Sequence, residues 1–200
     1  MNDVIFYYKE YPQKALFLKQ RFKITEKTKW TAGTVMQEIT VQLGHLATVI
    51  FNQKNNPVIS KMINEVDRPI VSLEDEISDL YLQIFYLCHI FGIDPLELYL
   101  RKLESESSNI VNWSEINYLE VILIVIGQVT ESVMKIEGTR FSMERSNIYC
   151  GEIGFLQDRL GVLLLITSNL ADNYQVNLAK SFDSMEKSAK QFLSLYREQD

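Results

Sequence analysis

Helical spacing is clearest in the stretch SLEDEISDLYLQIFYLCHIFGIDPLELYLRKLE, from Ser72 to Glu104. Its apolar residues recur every three or four positions, the spacing of one face of an α-helix. They are Leu73, Ile77, Leu80, Ile84, Leu87 and Phe91. Ser72 followed by Leu-Glu-Asp resembles the capping box that opens a helix, and Gly92 is the residue type that closes one. Asp94 and Pro95 then suit the N-cap and first position of a second helix.

The same spacing extends through the rest of the chain. Thr31 suits an N-cap, and a helical stripe follows it at Val35, Ile39, Leu43, Leu46 and Ile50. Pro12 suits the first turn of a short helix running to about Phe22. Further helices are predicted within 57–70 and over 114–135, 146–171 and 175–196. No stretch has the alternation of a strand, so the sequence predicts an all-α helical bundle whose centre is formed by 31–51, 72–91, 114–135 and 146–171.

Composition narrows the class of protein. Hydrophobic residues make up 46% of the 200 residues, with only four Pro and eight Gly, which favours long regular elements around a substantial core. The formal charge of −6 argues against a nucleic-acid partner. The two cysteines lie far apart in apolar surroundings and are expected to be reduced. Without a signal peptide or a long apolar run, we expect a cytoplasmic protein with no membrane partner.

The two halves of the chain resemble each other. Trp30-Thr31 is separated by twelve residues from Gly44, and Trp113-Ser114 by twelve residues from Gly127. Apolar positions correspond at the same offset of 83, such as Ile39 with Ile122, and later segments at an offset near 82. We therefore predict two tandem repeats, 1–109 with an N-terminal extension and 110–200, related by a pseudo-twofold axis. Within the helices, Gly44 and Gly127 are expected to permit close helix approach.

Polar residues follow one flank of each of two predicted helices. Glu38, Gln42 and His45 share a narrow strip beside the first apolar stripe. Glu76, Asp79 and Gln83 occupy a comparable flank after Ser72, and the two acids are three residues apart, so their carboxylates can converge. Two antiparallel helices would bring the flanks together inside a bundle, as in carboxylate metal sites of helix bundles. Alternatively, Glu76 and Asp79 have no role in a site and lie on a solvated helix flank.

These segments resemble the MazG-like, all-α nucleoside triphosphate pyrophosphohydrolases. TVMQEITVQLGHLATVI is similar to the first motif helix of that superfamily, where Gly precedes the last Glu of Glu-Glu-x-x-Glu and Leu-Ala follows it. The segment from Leu73 is similar to the second motif helix, Glu-x-x-Asp, an apolar stretch, Gly-Ile-Asp and a helix ending in Lys. Glu76 and Asp79 fill that motif, and Lys102 fills the final position. The resemblance is close over 28–105 and holds only in outline over 112–190.

The resemblance is incomplete where the family has its acids. The three Glu positions of the first motif fall on Val41, Gln42 and His45, none of which is acidic. In the second half they fall on Ile124, Val125 and Gln128, and the second motif reads Asp158 and Gly161. The second repeat is thus a degenerate copy.

The resemblance implies a metal site made of Glu76, Asp79, Gln42 and His45, with Glu38 one turn away as partial compensation. The implied cofactor is Mg²⁺, which neutralises phosphates and activates water; Mn²⁺ is the alternative that His45 would accept. The missing carboxylates weaken this expectation. His45 fits a hydrogen-bonded core or interface histidine better than a ligand.

Two further residues are candidates for substrate binding. Lys102 would reach phosphate, or else complement a helix C-terminus. Trp30 would stack on a nucleobase, or else anchor the start of a helix by packing.

The leading functional hypothesis is a pyrophosphohydrolase that converts a nucleoside triphosphate to monophosphate and pyrophosphate, with Glu76 and Asp79 as catalytic residues. The alternative is a catalytically inactive helical module of the same fold that binds a partner or a nucleotide in a regulatory role. A helical adaptor unrelated to the family is a third hypothesis. The oligomeric state is open, with a homo-oligomer as one alternative, and the sequence names no base or sugar.

Overall fold

The computed structural model describes residues 2–23, 29–53, 72–106, 113–139 and 145–197. These residues form seven α-helices and contain no strand, so the predicted all-α helical bundle is confirmed. The helices are α1 (Asn2–Phe22), α2 (Ala32–Gln53), α3 (Leu73–Ile90), α4 (Pro95–Glu106), α5 (Glu115–Ile136), α6 (Arg145–Asn173) and α7 (Leu178–Arg197). The predicted helix within 57–70 lies outside the described residues.

The ends of the helices follow the predicted capping residues. Thr31 Oγ1 accepts a hydrogen bond from the Thr34 amide at 3.2 Å, and Ser72 Oγ accepts from the Asp75 amide at 3.2 Å. Ser114 forms a full capping box with the third residue of α5. Gly92 closes α3 with a φ of +64°, in the left-handed region that favours glycine. Local side-chain chemistry therefore fixes where these helices begin and end.

The first helix is longer than predicted. It starts at Asn2 and contains Pro12 in its interior, so the prediction of a short helix beginning at Pro12 is wrong. A proline inside a helix removes one hydrogen bond and costs about 3 kcal/mol. Tyr7, Tyr8 and Tyr11, all before Pro12, are buried in the core. Burial of three aromatic side chains outweighs that cost, since each stabilises by roughly 25 cal/mol for every Å² of apolar surface removed from water.

Helix contacts are arranged as two similar sets. α2 packs along α3 as α5 packs along α6, and α4 lies against α6 as α7 lies against α3. Exchanging α2, α3 and α4 for α5, α6 and α7 converts each contact into its counterpart. α1 has no counterpart, and it packs on α3, α4 and α7. Two tandem repeats would produce matched contacts of this kind, while the repeat itself stays a prediction.

The two repeat glycines do not mediate helix packing. A Cβ atom at Gly44 or Gly127 would meet nothing within 4 Å, and both residues are exposed. The expectation that they permit close helix approach is therefore wrong. Gly161 on α6 has this role instead, since a Cβ there would lie 3.2 Å from the Leu98 carbonyl oxygen of α4.

Within the described ranges, none of the helices combines the length and the apolar character that a bilayer span requires.

Candidate functional site

The polar flanks of α2 and α3 lie inside the bundle rather than in solvent. Glu76 is only 2% exposed, Gln42 4%, Gln83 5% and Asp79 8%. Acidic side chains are seldom buried so deeply without a compensating partner. The alternative of a solvated helix flank is therefore excluded for Glu76 and Asp79.

One contact across the interface is direct. His45 Nδ1 lies 3.3 Å from Glu76 Oε2, and the imidazole is partly exposed while the carboxylate is not. The imidazole thus contacts the carboxylate from a more exposed position. A protonated His45 would compensate the buried charge of Glu76, and a neutral His45 would offer a nitrogen ligand beside it.

Two buried amide oxygens in this region lack donors. Neither Gln42 Oε1 nor Gln83 Oε1 has a hydrogen-bond partner among the described residues. An unsatisfied buried acceptor costs about 1–3 kcal/mol, so a cation or a donor group of a ligand bound here would relieve that cost. The name α2–α3 cluster is used below for five polar residues of these two helices, Gln42, His45, Glu76, Asp79 and Gln83, of which His45 and Glu76 are in contact.

The α2–α3 cluster offers oxygen atoms and one imidazole as potential ligands of a divalent cation. In the described part of the chain, no three His, Cys, Asp or Glu side chains are grouped so as to hold a metal ion. The cluster adds amide oxygens, which are suitable ligands for Mg²⁺ or Mn²⁺. Mg²⁺ in phosphate chemistry is typically bound through one or two carboxylates plus the phosphates of the substrate. The donor set fits that mode.

Two other predicted site residues, Glu38 and Lys102, are not part of the α2–α3 cluster. Glu38 is half-buried on α2, one turn before Gln42. Lys102 is buried on α4, and its Nζ lies 2.6 Å from Asp158 Oδ1 on α6. A phosphate at Lys102 would therefore have to compete with Asp158.

Trp30 packs between α1 and α3. The ammonium of Lys19 lies 3.0 Å from the centre of its ring, and Tyr86 meets the ring edge-on at 6.4 Å. One face of the indole is thus already covered by a buried lysine. This arrangement matches the packing-anchor alternative, and it leaves less of the ring for a nucleobase.

Gln83 was not among the predicted site residues, although it lies one turn after Asp79 on the same flank of the helix. The contact of Lys19 with Trp30 was not predictable, because no helical spacing in the sequence relates the two residues.

No family model, no curated protein and no solved structure matches this chain.

Proposed function

We propose that this protein binds a nucleoside triphosphate together with a divalent cation at the α2–α3 cluster, and hydrolyses it slowly to monophosphate and pyrophosphate. The single observation that carries the proposal is the burial of Glu76 and Asp79 on α3, together with the buried amide oxygens of Gln42 on α2 and Gln83 on α3, which have no donor among the described residues. A site rich in oxygen acceptors is what a phosphate-bound divalent cation requires.

Each side chain has a defined role in this proposal. Glu76 and Asp79 supply the charge that attracts the cation, and Gln42 supplies a neutral oxygen. A bound Mg²⁺ would supply neutralisation of the phosphate charge and activation of water. His45 is not an acid, and its contact with Glu76 occupies part of the carboxylate, so affinity and rate are expected to be low.

A tandem origin is part of the proposal. Residues 1–109 and 110–200 would be two copies of one helical unit, with the second copy replacing the partner subunit of a single-repeat ancestor. The matched contacts of α2, α3 and α4 with those of α5, α6 and α7 support this. The MazG-like family remains a resemblance of sequence motifs.

The second candidate is an inactive module that retains nucleotide or partner binding. Two observations favour it. Val41, at a position where the resemblance implies an acid, points outward and is exposed, and His45 pairs with Glu76 in place of another acid. Such a module would bind a nucleotide without turning it over.

Thermal denaturation with a non-hydrolysable nucleoside triphosphate and Mg²⁺ or Mn²⁺ tests the proposal. A ligand that binds only the folded state raises Tm by mass action. We expect the nucleotide and the metal together to raise Tm more than either alone, and Glu76→Gln or Asp79→Asn to abolish the gain. Glu74→Gln, which removes an exposed acid from the same helix, is the matched control and should retain it. No gain under any condition contradicts the proposal, and a gain in Tm with no turnover of hydrolysable nucleoside triphosphates selects the inactive module.

A further inference from the structure

Helix α5 carries the two most exposed large hydrophobic side chains of the described residues. Leu123 is 60% exposed and Ile124 59%, and Ile116 and Met134 of the same helix are exposed as well. Gly127 is also exposed, and a Cβ atom there would meet open space. Single exposed apolar side chains are common on protein surfaces, whereas several on one helix mark a contact surface.

The order of the helix layers leaves this face uncovered. The principal contacts of α5 are with α6 and α2, whereas α1, α4 and α7 pack on α3, α6 and one another. In the ranges that the structure describes, the outer face of α5 therefore has no helix layer above it, as the exposure of Leu123 and Ile124 shows. Glycine inside a helix is unfavourable relative to alanine, and packing within the chain gives no reason for Gly127.

The outer residues of α5 follow the spacing of a seam between two helices. Steps of four and three residues alternate along the helix, and these positions lie within about 80° of one another around its axis. In chain order they are Ile116, Glu120, Leu123, Gly127, Thr130 and Met134. A second helix with the same spacing completes a seam of this kind, and α5 of another copy of the chain supplies it.

Antiparallel pairing of α5 with its counterpart makes this seam complementary in shape. With a twofold axis crossing the helix near Val125, residue 123 of each copy faces residue 127 of the other. Leu123, the most exposed of the large apolar side chains, then fills the open space at Gly127. The same axis sets Ile116 opposite Met134, so both ends of the seam are also apolar.

Charge favours the antiparallel over the parallel arrangement. In the antiparallel pair Glu120 lies opposite Thr130, a neutral residue. In a parallel pair every residue faces itself, so two Glu120 carboxylates would oppose each other and Leu123 would not meet Gly127. Like charges set against each other across an interface are unfavourable.

The area of this side of the bundle suits a reversible dimer. With α2 beside α5, and Val41 exposed on α2, two helices of 22 residues form the face. Such a face measures roughly 33 Å by 18 Å, or about 600 Å² before the relief of the side chains is counted. Specific interfaces bury about 800 Å² on each partner, so this one lies at the lower end of the range.

We propose that the outer face of α5 is the interface of a homodimer, in which α5 packs antiparallel on α5 of a second copy with Leu123 seated over Gly127. The dimer dissociates on dilution, because the face is small. The proposal does not depend on nucleotide binding at the α2–α3 cluster.

Sedimentation equilibrium of the full chain over a range of concentrations tests the interface. The mass should rise reversibly from the 23.3 kDa of one chain to twice that value. Leu123→Glu should raise the dissociation constant of the dimer at least about tenfold, because it buries a charge against the partner helix. Phe17→Glu, at an equally exposed apolar residue of α1, is the matched control and should leave the constant unchanged. A chain that stays monomeric throughout, or equal effects of the two variants, would overturn the inference.

Gly127→Leu tests the socket separately from the charge. The new side chain would fill the space that Leu123 of the other copy occupies, so the dissociation constant should rise again. In the single chain it would enter open space, so the urea unfolding of dilute protein should show no loss of stability. A dimer that tolerates leucine at 127 would contradict the seating of Leu123.

Disulfide trapping tests the orientation. Chains with Ile116→Cys and chains with Met134→Cys are mixed and oxidised in a Cys150→Ser background, in which the remaining native thiol of Cys88 is buried. The antiparallel pair should cross-link unlike chains, because positions 116 and 134 face each other while two copies of either position lie about 27 Å apart along the helix. Cross-links between like chains instead would mean that the helices run parallel and would overturn the proposed interface.

Discussion

The imidazole of His45 faces the carboxylate of Glu76 across the α2–α3 interface, with 3.3 Å between Nδ1 and Oε2. Glu76 is almost completely buried, so the energy of its charge depends on what lies next to it. Where the family resemblance implies a second acid that needs a metal ion, this chain has a residue that can itself become a cation. A protonated His45 would compensate part of the buried charge of Glu76 without a metal ion.

Restoring the acids should therefore restore the dependence on metal. In the double variant Gln42→Glu, His45→Glu we expect Mg²⁺ affinity, measured by calorimetry, to rise by roughly tenfold, equivalent to about 1.4 kcal/mol. Without metal, the clustered carboxylates should lower Tm, because like charges disfavour ionisation of their neighbours. Unchanged affinity would mean that the helices no longer shape a site. Robust turnover by the unmodified protein would show that the missing acids are not required, and it would point to Glu38 as a compensating ligand.

Asp158 should make the stability of the protein depend on acidity. Its pKa lies below the ordinary value because Lys102 and Arg159 outweigh the opposing effect of burial. A carboxyl of this kind stabilises the fold above the unfolded-state pKa of about 3.9, and the contribution disappears as the pH falls through the lower folded-state pKa. Asp158→Asn should lower the free energy of unfolding at pH 7, measured with urea, by less than about 1 kcal/mol because the pair is partly exposed. The difference from the unmodified protein should shrink from about pH 4 downward, and a difference that widened there would contradict the assignment.

Much of the fold was predictable because its signals are local. Ser72, Ser114 and Gly92 act within a few residues, and their helix ends agree with the sequence patterns. The start of α1 was not predictable, since it depends on tyrosines that pack on distant helices and outweigh Pro12. For the site, helical spacing placed Glu76 and Asp79 on one flank. Helical spacing carried no information on the partner of Lys102, because its contact with Asp158 depends on how α4 crosses α6.

Glycines on the two repeat helices should be replaceable with a gain in stability. Gly44 and Gly127 lie within helices, and a Cβ atom there would meet open space. Alanine reduces the backbone entropy lost on folding, so each Gly→Ala change should stabilise by roughly 0.5–1 kcal/mol. Gly92→Ala is the contrasting variant, because its φ of +64° should make alanine destabilising by roughly 1–2 kcal/mol. Equal effects at all three positions, measured by urea unfolding, would be inconsistent with this description.

Two adjacent buried tyrosines of α1, Tyr7 and Tyr8, differ in the hydrogen bonds of their hydroxyls. Both Tyr7 and Tyr8 are completely buried. The hydroxyl of Tyr8 donates to the Leu164 carbonyl oxygen at 3.0 Å and lies 2.8 Å from Ser168 Oγ and 2.9 Å from the hydroxyl of Tyr81. The hydroxyl of Tyr7 has no hydrogen-bond partner among the described residues.

Removing the two hydroxyls should therefore have opposite effects. Tyr8→Phe leaves polar groups of Ser168, Tyr81 and Leu164 with fewer partners in the core, and we expect a loss of about 1–3 kcal/mol. Tyr7→Phe removes a buried group that gains nothing in the folded state, so it should be neutral or stabilise by up to about 1 kcal/mol. Both variants keep the aromatic ring, which separates the hydroxyl from the packing around it. Urea unfolding of the two single variants decides the matter: a loss at Tyr7 as large as that at Tyr8 would mean that Tyr7 has a hydrogen-bond partner in the folded protein, such as a buried water.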